Sequence, residues 1–312
     1  MIQFFKNISN KTVEIEKPEN GIWVNLMPPF KEEEFVELSR SLAIPIEFLR
    51  DSLDIDERPR FEVEDEVRFI VIKTPAENNS FNDSDAFYIT IPICIILTPY
   101  QIITVNSFDN DAIKKFLNTF QKRNPDKRNM MVLKIFEKVV QNFMDFLKEI
   151  NNRRNTYEQK LYDSNRNEEL FNLMRIQKSL LYFVTALRGN ELLMIKLERT
   201  NFLGLGEEER ELLNDLIVET SQALEMANIY NNILSSTLDA FASIISNNLN
   251  NVMKRLTSIT IILSLPALVT SIYGMNVEIP YAHTAHAFYI PVVLSLVVSV
   301  IIAWYFMKKK WF

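Results

Sequence analysis

Residues 250–276 read NNVMKRLTSITIILSLPALVTSIYGMN. Two cations, Lys254 and Arg255, precede an apolar run that ends in the short motif GMN. No Asp, Glu, Lys or Arg occurs in residues 256–277 or in residues 279–307, so Glu278 alone separates two uncharged stretches. Each has about 20 residues or more, enough to cross a hydrocarbon core of about 30 Å as an α-helix. A buried core helix is the alternative, but two adjacent runs, the second ending in the lysines 308–310, favour a pair of membrane spans.

Basic residues flank the two apolar runs on one side only. Lys254 and Arg255 precede the first run and three lysines follow the second, whereas the connector 276–286 contains no Lys or Arg. The positive-inside rule therefore places both termini in the cytoplasm and the connector outside. Residues 1–17 lack an apolar h-region and a cleavage site, which predicts no signal peptide. We expect a multi-pass protein of the cell (inner) membrane.

The first third of the chain has the pattern of a mixed α/β domain. With 312 residues and a net charge of −6, the chain is long enough for a soluble part besides the spans. Short β-like runs are broken by prolines and polar loops, and a polar loop at 77–85 indicates an antiparallel hairpin. Cys94 lies in an apolar run, so we expect a small buried side chain and neither a disulfide nor a metal ligand. Strands are predicted at 22–26, 61–63, 67–74, 87–97 and 101–105, and helices at 31–42 and 46–51.

From residue 126 the pattern is helical, with predicted helices at 126–162, 166–202 and 207–273. The breaks fall at Asn165 and at the Gly-Leu-Gly of residues 204–206. A helix over 207–273 would be roughly 100 Å long, far more than a bilayer, so its first half must be a stalk in water. Within residues 226–252 only Asp239 is charged. A helix so poor in charge is suited to packing against copies of itself, which predicts an oligomer.

These observations divide the chain into seven predicted segments. They are a cytoplasmic α/β domain (1–125), long cytoplasmic helices (126–206), a stalk helix (207–255), a first transmembrane helix (256–275), an outer loop (276–286), a second transmembrane helix (287–307) and a basic tail (308–312).

Small and polar side chains recur along the first span at steps of three and four, which places them on one helical face. They are Thr257, Thr260, Ser264, Ala267, Ser271 and Gly274. Such a stripe can be a helix–helix interface, because small residues let membrane helices approach closely. It can also line a pore. Its continuation inward through Leu256, Met253 and Asn250 joins it to the asparagine-rich stalk, which favours a path for a polar solute.

The first span ends in Tyr273-Gly274-Met275-Asn276. This motif, at the outer end of the first of two C-terminal spans, resembles the CorA family of magnesium channels, whose hallmark is Gly-Met-Asn at that position. The resemblance extends through residues 250–257 and the tail 308–312. In the N-terminal domain it is visible in the layout and at Arg58-Pro59-Arg60. A bare GMN tripeptide is common by chance, but GMN in this position after a stalk of this length is specific.

The resemblance implies an α/β cytoplasmic funnel domain, a long stalk helix continuing into the first of two transmembrane helices, and a homopentamer. The transported ion would be Mg²⁺, with Co²⁺ and Ni²⁺ as further candidates. The selectivity filter would be Gly274, Met275 and Asn276. The pore lining would be Asn250, Met253, Leu256, Thr260, Ser264, Ala267 and Ser271. Mg²⁺ gives up its water reluctantly, and a ring of Asn276 amide oxygens can accept hydrogen bonds from that water shell without an anionic charge.

Two features of this pore follow from the side chains at matching positions. Met253 and Leu256 match the hydrophobic constriction that closes the family's pore by dewetting. Ser264 and Ala267 stand where the family pattern has a bulky methionine and a threonine, which predicts a wider middle of the pore. Closure would then depend on the constriction.

The family also binds regulatory Mg²⁺ between neighbouring subunits, and acidic residues occur at the matching positions. They are Asp65 and Asp239, with Glu64 and Asp215 as candidates for a second site. From the residues alone, the acidic run around Asp65 is better explained as a solvated turn. Asp239 is more specific, because it is the lone charge in its stretch.

The outer loop contains three further polar residues. Glu278 is the only acidic residue there and could attract cations to the mouth. His283 and His286 have the H-x-x-H spacing of a metal site, but two ligands without a third are more often ordinary loop residues.

Other functions remain as alternatives. A Zn²⁺ or Co²⁺ transporter of the same architecture typically alters the middle of the GMN motif, and Met275 argues against it. A two-span anchor or receptor would explain the stalk and the spans but not a polar stripe ending in GMN. No enzyme is expected, because the chain has no Gly-rich phosphate loop, no nucleophile motif and no histidine before the spans.

Overall fold

The structure is a computed structural model. It describes residues 2–8, 11–15, 23–28, 32–42, 44–78, 86–106, 113–114, 128–164, 167–276, 286, 288–309 and 311. The chain divides into two compact units, Met1–Ser235 and Ser236–Phe312.

The first unit contains a seven-stranded sheet with the strand order β2-β1-β3-β7-β6-β5-β4. The strands are β1 (Ile2–Ile8), β2 (Lys11–Ile15), β3 (Trp23–Leu26), β4 (Arg60–Glu64), β5 (Val67–Glu77), β6 (Tyr88–Leu97) and β7 (Ile102–Val105). The β3–β7 pair is parallel, and every other pair is antiparallel. The predicted β5–β6 hairpin is confirmed, with Val71 opposite Cys94. Cys94 is buried and free, as predicted.

Two strands, β1 and β2, were not predicted from the sequence. Their residues alternate poorly between apolar and polar, because Lys, Asn and Glu are interspersed throughout. Pairing with β3 fixes β1, and β2 then pairs with β1 as an edge strand. Edge strands tolerate charged and polar side chains, since one edge faces away from the sheet.

Four of the described helices pack against this sheet. Helices α1 (Glu32–Leu42) and α2 (Ile46–Asp51) cover a core in which Phe48 stacks on Phe69 with ring centroids 4.5 Å apart. Helices α3 (Arg128–Ser164) and α4 (Asn167–Thr200) contact β5 and β6 and run antiparallel to each other. Phe143 of α3 meets Phe183 of α4 edge to face at 5.5 Å. All four begin and end within two residues of the prediction. The predicted break at Asn165 lies outside the described residues.

Side-chain amides from α3 and α4 cover the edge of β5 beyond the first residue of β4. Strand β4 begins at Arg60 opposite Val71, so Lys73 has no β4 residue beside it. The buried amide of Asn190 accepts a hydrogen bond from the Lys73 N–H (3.0 Å) and donates one to the Lys73 carbonyl (2.7 Å). Asn142 donates to the Pro75 carbonyl at 3.2 Å. These helices thus satisfy backbone groups that an open sheet edge would leave unpaired.

The turn between α4 and the next helix explains where both helices end. Asn201 and Gly204 have φ values of 46° and 66°, in the left-handed region that ends helices. Helix α5 (Glu207–Tyr273) then begins, with the Gly206 N–H donating to Glu209 Oε2 at 2.9 Å. This carboxylate caps a helix N-terminus. The long helix has the predicted bounds.

The first part of α5 packs antiparallel to α4. Thr220 Oγ1 lies 3.7 Å from Met194 Sδ, and Gln177 Nε2 donates to Ser235 Oγ at 2.8 Å. Leu213, Leu216 and Ala223 on the same face are buried. The first unit therefore ends in three long antiparallel helix segments.

The second unit contains the rest of α5 and α6 (Tyr289–Lys308). Both helices are long and apolar enough to cross a membrane. Only 6% of the most apolar stretch of α5, and 22% of that of α6, is buried within the chain. A core helix of a soluble protein would be mostly buried, so the core-helix alternative does not fit.

Candidate functional site

The apolar part of α5 has one covered face. Ser258 is fully buried, and half-buried residues follow it at steps of three and four. These are Ile261, Ile262, Leu265, Pro266 and Val269. At about 100° per residue they fall within one sector of the helix. Every other residue from Leu256 to Tyr273 is exposed.

Helix α6 has a matching covered face. Its buried residues are Pro291, Ser295, Ser299 and Phe306, the first three at steps of four. We infer that this face packs on the covered face of α5, since α6 is the only other helix described in this unit. Ser258, Ser295 and Ser299 are the small polar residues of the two covered faces. This α6 stripe was not predicted from the sequence, although small residues at steps of four in an apolar run are its signal.

The predicted small and polar residues of α5 lie on the other side of the helix. Thr257, Thr260, Ser264, Ala267, Ser271 and Gly274 are all exposed. Their mean direction is about 160° from that of the covered face. We call these six residues the polar stripe. The structure therefore brings the predicted pore residues onto one face and leaves that face uncovered within the chain.

Hydroxyl groups of the polar stripe donate to the backbone of their own helix. Thr260 Oγ1 donates to the Leu256 carbonyl at 2.9 Å, and Ser264 Oγ donates to the Ile261 carbonyl at 3.0 Å. Each oxygen keeps lone pairs for an external donor.

The stripe continues toward the start of α5 through apolar side chains. Leu256 and Met253 are 57% and 51% exposed, so large apolar surfaces stand uncovered on this face. Asn250 is exposed nearby. Asp239, also exposed, precedes Met253 by two heptads and lies on nearly the same side of the helix. Asp215 is exposed on the part of α5 that belongs to the first unit.

The outer end of α5 carries the predicted filter motif. Helix α5 ends at Tyr273, and the Gly274 N–H still donates to the Thr270 carbonyl at 2.9 Å. Met275 and Asn276 follow and are exposed. Glu278 and His283 lie outside the described residues, and His286 is exposed.

The predicted regulatory residues of the soluble part lie at one tight turn. Glu64 ends β4, and Asp65 has a φ of 53° in the turn to β5. Both are exposed and line a cavity of about 790 Å³ that Arg40 and Tyr100 also line. In the part of the chain that the structure describes, no three His, Cys, Asp or Glu side chains come together as a metal site. The turn predicted from the residues is confirmed.

Comparisons with known proteins cover nearly the whole chain. The family described as "CorA-like Mg2+ transporter protein" matches residues 18–309. The cobalt/magnesium transport protein CorA of Methanocaldococcus jannaschii is 26% identical over 296 residues, which is 93% of this chain and 91% of that protein. The corresponding protein of Thermotoga maritima is 22% identical over 295 residues, 93% of this chain and 83% of that one.

A solved structure shares the fold over its full length. The complete structure of the CorA magnesium transporter from Methanocaldococcus jannaschii superposes with a TM-score of 0.86 at 24% identity, covering 100% of this chain and 99% of that one. The match includes both apolar helices.

Proposed function

The chain belongs to the CorA-like Mg²⁺ transporter family, and from that premise we propose that it conducts Mg²⁺ across the cell membrane through a pore formed by five copies of α5. The observation that carries this proposal is the polar stripe, which faces away from α6 and is uncovered within the chain. A polar face is costly in lipid, so it needs either other helices or water beside it. A central pore provides both.

In the proposed homopentamer, the five α5 helices surround the axis and the five α6 helices form an outer ring. The low charge of residues 226–252 supports close packing of the stalks around that axis. Both termini lie in the cytoplasm, as the basic residues at the inner ends of the spans indicate. The tail fits this arrangement, because Lys308 lies over the Trp304 ring at 5.2 Å and Trp311 stacks on Phe306 at 5.1 Å. Aromatic and basic side chains of this kind are typical of a membrane interface.

Selection of the ion is assigned to the motif Gly274-Met275-Asn276. A hydrated Mg²⁺ presents water hydrogens, and a ring of Asn276 amide oxygens accepts hydrogen bonds from them. A neutral ring binds the ion weakly enough for it to leave, which conduction requires. Glu278, near the same mouth, would raise the local cation concentration.

Closure is assigned to Met253 and Leu256. Their large exposed side chains on the stripe face would form two apolar rings about 4.5 Å apart along the axis. Water leaves a narrow apolar constriction, and a hydrated ion cannot follow. The small side chains of Ser264 and Ala267 leave the middle of the pore wider than these rings.

Regulation is assigned to Mg²⁺ bound between neighbouring subunits. The candidate ligands are Asp65 with Asp239, and Glu64 with Asp215. Without an ion these carboxylates repel one another, and a divalent cation converts the repulsion into attraction. Asp239 lies on nearly the same side of α5 as Met253, so in a ring of stalks it also faces the axis. Asp215 lies about 120° from Asp239 around α5, so the two carboxylates need separate tests.

The proposal is tested by Mg²⁺ flux into proteoliposomes that contain the full chain. We expect the unmodified protein to take up Mg²⁺, and Asn276→Ala to lose uptake while its assembly is unchanged. Asn251→Ala is the matched control, because this exposed asparagine lies on the side of α5 away from the stripe. It should retain uptake.

Each alternative function has its own outcome in this assay. Uptake by Asn276→Ala at the level of the unmodified protein would remove Asn276 as the selectivity ring. Flux no greater than in empty liposomes would support a two-span anchor. Zn²⁺ uptake that excess Mg²⁺ does not reduce would support a Zn²⁺ transporter of the same architecture. Competition among Mg²⁺, Co²⁺ and Ni²⁺ ranks the transported ions.

A further inference from the structure

A groove of about 980 Å³ lies between residues 56–61 and helix α4, in the soluble unit. We call it the α4 groove. It shares no residue with the polar stripe or with the cavity at the acidic turn. At one point the wall is tight, because a Cβ on Gly189 would lie 2.9 Å from Pro59 Cγ. A glycine in α4 therefore lets Pro59 approach the helix and shapes the groove.

The α4 groove is lined by more cations than carboxylates. Arg58, Lys73 and Lys196 line it, and Asp56 is the one carboxylate among the described residues of its wall. Neither Arg58 nor Lys196 forms an ion pair with a carboxylate among the described residues. The described lining therefore has more cations than carboxylates, although the chain has a net charge of −6.

A fourth cation on the wall, Arg60, is already neutralised. Its guanidinium pairs with Asp51 at 2.6 Å, with Glu57 at 2.7 Å, and with Glu62. These ion pairs also occupy Glu57, the carboxylate next to Arg58. One guanidinium against three carboxylates leaves this cluster with two negative charges, although Asp51, Glu57 and Glu62 do not line the groove.

Lys73 is the least exposed cation of the three. Its ammonium donates to the Ile55 carbonyl at 3.1 Å, and burial lowers the pKa of Lys73. An ammonium has three N–H donors. A bound anion would accept from the remaining donors and favour the charged form.

The opposite wall is apolar and partly aromatic. Leu181 and Leu192 of α4 are 58% and 53% exposed, although both line the groove. Phe61 and Tyr182 line it as well. Apolar walls with a few convergent charged groups are the usual composition of a small-molecule site, and the volume is at the upper end of the usual range, roughly 300–1,000 Å³.

We propose that the α4 groove binds a small organic anion that combines an apolar ring with phosphate groups, of the class of a nucleoside diphosphate. Arg58 and Lys196 hold the phosphates, Lys73 binds from the sheet, and Leu192, one helical turn from Lys196, contacts the base. The three cations less the one carboxylate, Asp56, leave two positive charges for the phosphates. A free phosphate would use only the cations, and a nucleoside only the apolar wall.

Calorimetric titration of the full-length protein with ADP in Mg²⁺-free buffer tests the proposal. We expect saturable binding, with inorganic phosphate and adenosine each binding more weakly than ADP. Lys196→Gln should raise the Kd about tenfold, since it removes a charge-assisted hydrogen bond. Arg188→Gln is the matched control, because Arg188 is exposed on the same helix and does not line the groove. It should leave the Kd unchanged.

A variant of the apolar wall separates the two halves of the ligand. Leu192→Ala should weaken ADP and adenosine but not phosphate. The absence of saturable ADP binding would overturn the proposal. This result is expected if a neighbouring subunit covers the groove in the assembled protein. Equal effects of Lys196→Gln and Arg188→Gln would reduce binding to general electrostatic attraction and would also overturn it. The titration measures no ion flux, so its result is independent of the proposed transport function.

Discussion

Single cysteines at Ser258 and Thr260 test the direction of the polar stripe. The two residues are about 200° apart around α5 and about 3 Å apart along it, so they sample the same depth on opposite sides. Ser258 is fully buried and Thr260 is exposed. We expect a charged, water-soluble methanethiosulfonate reagent to modify Thr260→Cys from the pore and to block Mg²⁺ flux. We expect Ser258→Cys to resist.

The chain itself provides a suitable background for this experiment. Its one cysteine, Cys94, is buried, and burial raises the pKa of that thiol to about 12. An exposed thiol has a pKa of about 8.5, and only the thiolate reacts. Near neutral pH the thiolate fraction of Cys94 is therefore lower by roughly three orders of magnitude. No cysteine needs to be removed, and the unmodified protein is the control.

The difference in rate can be estimated from the packing. Reagent reaches a cysteine at Ser258 only if α5 and α6 separate locally. An opening free energy of about 3 kcal/mol slows the reaction by about 100-fold. Mass spectrometry gives the modified fraction over time, and flux gives its effect. Equal rates at the two positions would refute the assigned faces.

The same reagent tests the constriction. Met253→Cys and Leu256→Cys should react when the channel is open and more slowly when Mg²⁺ holds it closed. If both stay unreactive in every condition, these residues do not face the pore.

Two further predictions concern the soluble unit and the stalk. Asn190→Leu leaves the Lys73 N–H and carbonyl without their partner. We expect this to lower the free energy of unfolding by roughly 2–5 kcal/mol and to lower the apparent Tm in a thermal scan. An unchanged Tm would mean that water replaces the amide. The stalk carboxylates are tested by limited proteolysis of Asp215→Asn and Asp239→Asn across a Mg²⁺ titration. If both carboxylates bind the regulatory ion, each variant should be less protected from proteolysis by Mg²⁺ than the unmodified protein. A carboxylate whose variant titrates like the unmodified protein does not bind the regulatory ion.

Much of the fold could be predicted because its signals are local. Helix α5 has the predicted bounds because glycines end the preceding helix and three glutamates begin the next, both visible in residues 204–209. The spans follow from uncharged runs. Strands β1 and β2 gave no such signal, since their pairing and not their composition makes them strands.

Contacts between distant segments could not be predicted. Asn190 forms hydrogen bonds with the backbone of Lys73, which is 117 residues away in the chain. No sequence pattern around a single asparagine in a helix predicts its hydrogen-bond partner. The cations of the α4 groove likewise come from a loop, a strand and a helix. Convergence of this kind depends on the fold, so only the structure brings these residues together.

The candidate pore was predictable in periodicity but not in direction. Steps of three and four placed the polar stripe on one face, yet that pattern fits a helix interface as well as a pore. Within one chain the stripe is not the covered face of α5, because Ser258, and not the stripe, is the small residue that is buried. The α6 face depends on the register of two apolar helices, which composition does not fix.

The hydrogen bonds of the stripe also bear on which ions a pore lined by it would accept. Thr260 and Ser264 direct their hydroxyl protons to carbonyls of their own helix. Their oxygens therefore present mainly lone pairs outward. Water around a cation points its hydrogens away from the ion, so a hydrated cation meets hydrogen-bond acceptors along this face. Water around an anion points its oxygen outward, and that oxygen meets acceptors where it needs donors. Because the backbone carbonyls are fixed by the helix, five copies of the stripe would favour cations without any charged residue in the span.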